Sequence, residues 1–296
     1  METSKLNQTI TFFKEISLMM YGFGDSHEPN PETVCLVESI VLRQLRTIIE
    51  ESIKYWDGKM LTGENLIFLL RHNKIKMQRL IKYLHNKILK NKLKRLQSNS
   101  ETVDLDEIPK NNLLEFIEEL DETGEFMDTS YVDEVKLRRE IRADRITQAL
   151  DEEKYLEFHK ARCTSFKNAN GDLKHLKLWV DPENLIAFNQ DALDILSYYA
   201  FQTVAEIVDY ALLVRADTKS TTDPFKHLQG SYYSSVMFNG TPRFEGLDLD
   251  YSSVHLNQPP ISVNEIKEVM RRLHTPQAGK LNFGIKFPNT HYLFAL

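Results

Sequence analysis

The sequence predicts an all-α protein in which one plan, a short helix, a long helix and a short helix, occurs twice. Two long runs carry apolar side chains at steps of three and four residues, over 31–57 and 189–215. This spacing places the apolar side chains on one face of a helix. Shorter amphipathic runs flank both. Ser262 and Glu265 have the spacing of a capping box, which marks the start of a last helix.

The first long helix has a clear predicted start and a predicted end. Asn30 is a favourable N-cap, and Pro31 follows at the first helical position, where its missing N–H costs nothing. Gly58 is expected to close the helix. Shorter helices are predicted over 6–20 and after Thr62. This is the helix plan of a histone fold, which needs a second copy because a lone copy would expose a large apolar face.

The segment after the first unit, 71–95, is the most basic in the chain and contains no Asp or Glu. One interpretation is phosphate binding to nucleic acid, with Lys74, Lys76, Arg79 and Lys82 as the candidate contacts. The other, which we favour, is a solvated helix face that neutralises the acidic stretch that follows it. The basic run lacks the interleaved aromatic residues typical of single-strand binding.

The second half repeats the plan, so that two histone folds are expected in tandem. Its long helix is predicted over 189–215, and a charged, exposed helix over 131–155 is expected to bridge the halves. The first histone fold, with a basic C-terminal helix, is predicted over 1–97, and an acidic linker with a connecting helix over 98–154. The second histone fold is predicted over 155–275, with a flexible insertion at about 217–257, and a tail over 276–296.

Two such halves in one chain can pair intramolecularly, as a histone-like heterodimer, with the long helices crossing. This pairing would bury both apolar faces without a second polypeptide. The predicted core residues of the pair are Val37, Val41, Leu45, Ile48, Leu196, Ala200, Val204 and Ile207.

Composition excludes several other classes of protein. The 296 residues carry a net charge of −6, with 27 % charged and 42 % hydrophobic residues, which is ordinary for a globular protein. We find no stretch long enough to span a membrane and no secretory signal. Cys35 and Cys163 lie far apart without ligand spacing and are expected to be free thiols. Glycine-rich phosphate loops, HExxH pairs and zinc spacings are missing, so no cofactor, metal or small-molecule substrate is expected.

Four segments carry a resemblance to a known family: EISLMMYGFGD (15–25), NPETVCLVESIV (30–41), GENLIFLLRHNKIKMQRLIKYL (63–84) and ILSYYAFQTVAEIVDYALLVR (195–215). Together they resemble the Suppressor-of-Ty protein three family, the histone-fold subunit of the SAGA transcription coactivator. The first half is similar to one TFIID histone-fold subunit and the second half to that subunit's partner.

The resemblance implies a nuclear, non-enzymatic protein whose two histone folds pair with each other. Its partners would be TATA-binding protein, which the family helps deliver to promoters, and other SAGA core subunits. Because a DNA-binding partner is basic, an acidic patch on the second fold is the expected contact. Glu206 and Asp209 are the candidates, unless both are merely solvated. The alternative function is a weak DNA contact through the basic helix 71–95.

Overall fold

A computed structural model describes residues 10–55, 60–98, 111–128, 132–168, 171–219, 258–274 and 292–296. Within these ranges the chain forms ten α-helices and one 3-10 turn, with no β-strand, as the sequence predicts. The described helices include none that is long and apolar enough to cross a lipid bilayer.

The first half contains the predicted short, long and short helices, followed by the basic helix. In order these are α1 (Phe13–Phe23), α2 (Pro31–Ile53), α3 (Gly63–Phe68), a 3-10 turn (Leu69–His72) and α4 (Lys74–Ser98). The Asn30 side chain accepts a hydrogen bond of 2.9 Å from the amide of Glu32, as expected of an N-cap. The end of α2 was predicted too late, because the helix stops at Ile53 with Lys54 as its C-cap. Gly58 lies outside the described residues.

The middle of the chain contains three helices: α5 (Asn112–Leu120), α6 (Glu134–Ala149) and α7 (Glu152–Cys163). The short acidic helix α5 lies within the stretch predicted as the acidic linker. The single bridging helix predicted over 131–155 is wrong, because the structure divides this region between α6 and α7. Leu150 is extended, and the side chain of Asp151 accepts a hydrogen bond from the amide of Lys154, which caps a new helix.

The second half contains α8 (Lys174–Val180), α9 (Gln190–Lys219) and α10 (Val263–His274). The 30 residues of α9 extend about 45 Å at 1.5 Å per residue. The predicted capping box is present in α10: Ser262 N–H donates to Glu265 Oε2 at 2.7 Å, and Glu265 N–H donates to Ser262 Oγ at 3.3 Å. The insertion predicted at 217–257 is described only as far as residue 219, where it still belongs to α9.

Helix α9 lies at the centre of the fold and contacts α1, α2, α3, α8 and α10. One continuous apolar core runs through both halves of the chain. A smaller cluster, built around Tyr21 and Phe158, joins α1 and α6 to α7. Gly22 allows a close contact of α1 with α7, because a Cβ atom there would lie 3.1 Å from the backbone of Ala161. Gly24 ends α1 in the left-handed conformation, with φ of 114°.

Candidate protein-interaction site

The predicted core of the pair lies at the contact between α2 and α9. All eight residues are buried, and none is more than 1 % exposed: Val37, Val41, Leu45, Ile48, Leu196, Ala200, Val204 and Ile207. Helix α9 also packs on α1 and α3, and α10 packs on α2. Elements of the two halves therefore cover each other's apolar faces, which would otherwise be in water.

Polar contacts between loops and helices also connect the halves. A parallel bridge joins Leu61, which follows α2, to Phe188, which precedes α9. In this bridge Leu61 N–H donates to the carbonyl of Ala187 at 2.8 Å, and Asn189 N–H donates to the carbonyl of Leu61 at 2.9 Å. The buried Tyr199 hydroxyl donates to a carbonyl of α3 at 3.0 Å. The register of α9 against the first half is thus fixed by directional bonds as well as by apolar packing.

Glu206 lies in a group of four charged side chains, Lys76, Arg79, Asp133 and Glu206, which we call the Arg79 cluster. Arg79 donates two hydrogen bonds to Asp133, at 2.6 and 3.0 Å. Glu206 lies 3.5 Å from Lys76 Nζ and 3.6 Å from the Arg79 guanidinium. Asp133 also accepts from the amide of Lys136, as the N-cap of α6. The Arg79 cluster therefore ties α4, α6 and α9 together.

Burial and pairing act in opposite directions on the Arg79 cluster. Burial lowers the pKa of Lys76, and the negative charge of Glu206 offsets this only in part. Burial would raise the pKa of Asp133, but the hydrogen bonds and charge of Arg79 hold that pKa below its ordinary value. Burial also opposes ionisation of Arg79, yet Asp133 raises the pKa of Arg79 above its ordinary value. The Arg79–Asp133 pair is therefore ionised at neutral pH.

Asp209 has a second set of internal partners. Its carboxylate accepts from Arg139 Nε at 2.6 Å and from Arg142 Nη1 at 2.9 Å. Arg142 also donates to the carbonyl of Phe23 at 2.6 Å, so that these contacts join α6 to α9 and to the end of α1. Burial would raise the pKa of Asp209, but the two arginines keep it below its ordinary value.

The position of the two carboxylates argues against the role predicted for them. Glu206 is 8 % exposed and Asp209 is 9 % exposed, so neither presents a surface to a partner. Both were expected to be accessible on α9, whereas α4 supplies the cations next to Glu206 and α6 supplies those that neutralise Asp209. Sequence reasoning missed Arg139 and Arg142. Their spacing of three residues was the available signal, because it places both on one side of α6.

The four candidate phosphate contacts on α4 have different surroundings. Lys76 and Arg79 belong to the Arg79 cluster and face the protein interior. Lys74 lies 3.2 Å from Glu125 in a solvent-exposed ion pair. Lys82 has no carboxylate within ion-pair distance among the described residues. Internal carboxylates thus already neutralise much of the charge that suggested nucleic-acid binding.

The last described residues, 292–296, lie against the contact between the halves, although the sequence predicted only an irregular tail. Gln44 on α2 donates to the carbonyl of Tyr292 at 2.7 Å and accepts from the amide of Phe294 at 2.9 Å. Lys76 donates to the carbonyl of Phe294 at 2.6 Å. Phe294 is fully buried, and Tyr292 forms a hydroxyl contact of 3.1 Å with Tyr210. These residues add a further connection between α2, α4 and α9.

Comparison with known proteins places this architecture among transcription factors. Residues 10–99 match the family described as transcription initiation factor IID, 18kD subunit. SAGA complex subunit Spt3 of Drosophila melanogaster is 30 % identical over 283 residues, covering 92 % of this chain and 70 % of the fly protein. SAGA complex subunit Spt3 of Schizosaccharomyces pombe is 28 % identical over 300 residues, covering 92 % of each protein. Transcription initiation factor TFIID subunit 13 of Dictyostelium discoideum is 40 % identical over 75 residues, covering 25 % of this chain and 70 % of that protein.

The extent of these similarities follows the architecture. The match to the TFIID family ends at residue 99, where α4 ends, and it identifies the first half as a histone fold. The similarity to the two Spt3 proteins covers 92 % of the chain and so includes α9, which buries the apolar face of that first half. The comparisons confirm the resemblance seen in the sequence, and the chain belongs to the SAGA complex subunit Spt3 family.

Proposed function

We propose that this chain is a nuclear, non-enzymatic subunit of a SAGA-type transcription coactivator, and that it binds TATA-binding protein and helps deliver it to RNA polymerase II promoters. The observation that carries this proposal is the similarity to SAGA complex subunit Spt3 over 92 % of the chain, rather than over the first half alone. The family resemblance supplies TATA-binding protein and the other SAGA core subunits as the partners.

We infer further that the second half is a second histone fold, paired with the first. Its three helices contain 7, 30 and 12 residues, which is the short–long–short plan. The contacts of α9 with α1, α2 and α3, and the bridge between Leu61 and Phe188, support a pair built within one chain. Such a pair presents one continuous outer surface to the rest of the complex.

The proposed contact with TATA-binding protein requires carboxylates that reach solvent, because the partner is basic. Glu206 and Asp209 do not meet this requirement, since internal cations pair with both. We therefore assign the contact to the outer face of the second half and to no single residue. Loss of hydrogen exchange on addition of TATA-binding protein would identify the helix that makes the contact.

Isothermal titration calorimetry with purified TATA-binding protein tests the proposal. We expect binding that persists when the salt concentration is raised from about 0.1 M to about 0.3 M, because a packed protein interface is screened less than exposed charges are. The double variant Lys82→Ala/Lys90→Ala serves as the control, with unchanged affinity, because it removes two cations of α4 that have no ion-pair partner among the described residues. Absence of binding in both salts would contradict the proposal.

DNA binding through α4 is the second candidate function, and the unpaired Lys82 and Lys90 are the observation that favours it. No described carboxylate lies within ion-pair distance of either lysine. Lys76, Arg79 and Lys87, in contrast, are already engaged by internal carboxylates. The few remaining contacts predict a shallow salt dependence, with a slope of about −0.9 per phosphate neutralised. A titration of a labelled DNA duplex against the parent chain and the Lys82→Ala/Lys90→Ala variant measures this slope.

A further inference from the structure

A cleft of about 570 Å³ opens beside α9, and neither the proposed contact with TATA-binding protein nor the helix pairing uses it. Its walls are formed by α4, α6, α9 and the chain from the end of α7 to Lys167, and the end of α1 closes one side. We call it the basic cleft. Its volume lies in the range of about 300–1,000 Å³ that is typical of ligand-binding clefts.

The lining of the basic cleft is strongly cationic. Nine Lys and Arg side chains line it, against one carboxylate, that of Glu140. In a protein whose net charge is −6, this concentration of positive charge is a local feature of the fold. It arises because α4, α6 and the segment after α7 each direct cations to the same opening. A concave surface lined with one sign of charge focuses the electrostatic field and attracts ligands of the opposite sign.

Two internal carboxylates, Asp194 and Asp209, neutralise this charge only in part, because each is shared between two cations. Asp194 lies 2.7 Å from Lys87 Nζ and 2.6 Å from Lys167 Nζ. Asp209 likewise accepts from two arginines. The cations also keep the pKa of Asp194 below its ordinary value, although burial would raise it. Two cations around one carboxylate leave an excess positive charge at each of these positions.

Three further cations of the basic cleft have no ion-pair partner among the described residues. Lys82 and Lys90 on α4 and Arg162 near the end of α7 line the opening. Within the described ranges no carboxylate lies within 4.0 Å of any of them. Arg139 and Arg142 on α6 also line the opening, and both share Asp209 as their carboxylate partner. Among the described residues, the lining of the cleft therefore supplies more cationic donors than carboxylate acceptors.

Apolar side chains accompany the charges. Phe23, Tyr83, Ile146 and Phe201 line the cleft and are half-buried. Phe23 and Phe201 contact each other edge to face, with ring centroids 5.0 Å apart. Burying this exposed apolar surface would stabilise a complex by about 25 cal/mol per Å². An occupant that complements the whole lining needs both negative charge and apolar side chains.

We propose that the basic cleft binds an acidic peptide segment of a partner protein, with carboxylates facing Lys82, Lys90 and Arg162 and apolar side chains on Phe23, Tyr83, Ile146 and Phe201. The partner differs from TATA-binding protein, which is basic. A DNA duplex would supply regularly spaced phosphates on a convex surface and no apolar group for the interior of a cavity of this size.

A labelled synthetic peptide tests the proposal on the full chain. The probe is a 16-residue peptide of four Asp-Phe-Glu-Leu repeats, and binding is followed by fluorescence anisotropy. We expect saturable binding. Two matched peptides, one with Asn and Gln in place of the acids and one with Ser in place of Phe and Leu, should each bind about tenfold more weakly or worse, since both charge and apolar contact contribute.

Charge reversal on the protein locates the binding. The triple variant Lys82→Glu/Lys90→Glu/Arg162→Glu changes side chains that have no partner among the described residues, so its circular dichroism should match the parent. It should bind the acidic peptide at least about tenfold more weakly. Lys267→Glu, on the exposed face of α10, reverses one charge outside the cleft and should bind as the parent does. Equal peptide affinity of the triple variant and the parent would overturn the proposal.

A fluorophore on Cys163 gives a local signal, because this exposed thiol lines the cleft. Cys35 is also exposed and is first replaced by Ser. The acidic peptide should change the emission of the Cys163 label in the parent background and should not do so in the triple variant. An unchanged emission at saturating peptide would place the binding elsewhere and overturn the proposal.

Two other occupants are outcomes of the same measurements. If a 20-base-pair DNA duplex binds more tightly than the peptide and loses affinity in the triple variant, the cleft is a nucleic-acid site and the proposal is refuted. If the peptide binds only to a variant in which the four carboxylates of residues 101–107 are replaced by amides, these residues compete for the cleft. The occupant is then a segment of this chain and not a partner, and the proposal is refuted. Binding of TATA-binding protein should be unchanged in the triple variant, so failure of this proposal and failure of the proposed function can be told apart.

Discussion

Replacing Ile207 by Asp tests whether the two halves share one core. Ile207 lies on α9 and is fully buried in the apolar cluster that also contains Ile48 of α2. The substitution removes an apolar side chain from the contact between the halves and introduces a carboxyl group without a built partner. If the core is shared, the damage should reach the first half as well as the second.

The size of the effect follows from burial and from proton binding. Losing a buried Ile side chain destabilises a fold by about 1.5–3 kcal/mol. Keeping the new carboxyl protonated at pH 7, against an ordinary pKa near 3.9, requires about 4 kcal/mol more at 1.36 kcal/mol per pH unit. The sum approaches the whole stability of many proteins, about 5–15 kcal/mol. The melting temperature should therefore fall by about 10–25 °C.

The same reasoning predicts a pH dependence between pH 7 and pH 5 in addition to that of the parent. Near pH 5 the cost of protonating the introduced carboxyl falls to about 1.5 kcal/mol, so the destabilisation should shrink by about 2.7 kcal/mol between pH 7 and pH 5. Thermal melts followed by circular dichroism at both pH values measure this difference. Hydrogen exchange read on peptides of α2 shows whether the first half loses protection together with α9.

A matched substitution at an exposed position provides the control. Leu185, in the segment before α9, is 75 % exposed, and Leu185→Asp should change stability by about 0.5 kcal/mol or less. The shared core is refuted if Ile207→Asp melts in two separate steps, with α2 as protected as in the parent. Ile48→Asp on the opposite helix should give the same single, lowered transition as Ile207→Asp.

Three further predictions concern the polar contacts. Asp133→Asn removes the carboxylate that accepts two hydrogen bonds from buried Arg79 and leaves it only Glu206, which Lys76 shares. The variant should lower the free energy of unfolding by about 3 kcal/mol in denaturant titrations; a loss under 1 kcal/mol would contradict the ionised pair. Asn30→Ala removes the N-cap of α2 and should lower the same quantity by only about 1 kcal/mol, with the helical content unchanged by circular dichroism. The folded-state pKa values lie below the ordinary 3.8 for three buried carboxyls, those of Asp133, Asp194 and Asp209. Their contribution to stability should therefore be present above about pH 4 and be lost as the pH falls below it. A melting temperature that stays constant between pH 6 and pH 3 would contradict this prediction.

Helix starts could be predicted better than helix ends, because the start depends on side chains that are recognisable in the sequence. Asn30 before Pro31, and Ser262 before Glu265, each gave the correct first turn. The end of α2 is set by backbone hydrogen bonds around Lys54, which place no comparable demand on residue type. The break between α6 and α7 could have been predicted, because Asp151 is an N-cap followed by acidic residues in the first turn of α7. The alternating charges over 131–155 were instead interpreted as one continuous exposed helix.

The roles of Glu206 and Asp209 could not be obtained from the sequence by the same reasoning. Periodicity places both on α9, but it does not show which other helix covers that face. The covering helix α6 brings Arg139 and Arg142 to Asp209, and α4 brings Arg79 to Glu206. These contacts join residues 67 or more positions apart, so they follow from tertiary packing and not from local pattern.

Joining the two halves in one chain changes how the first half reaches its folded state. The TFIID family match stops at residue 99, yet the apolar face of α2 within that match is covered by α8, α9 and α10, which lie beyond it. A covalent connection makes the pairing of these helices with α2 an intramolecular event, so pairing needs no encounter between separate subunits. The family match to the first histone fold ends about 100 residues before Ile207 of α9. Buried residues of α9 such as Ile207 should nevertheless control the stability of that first fold.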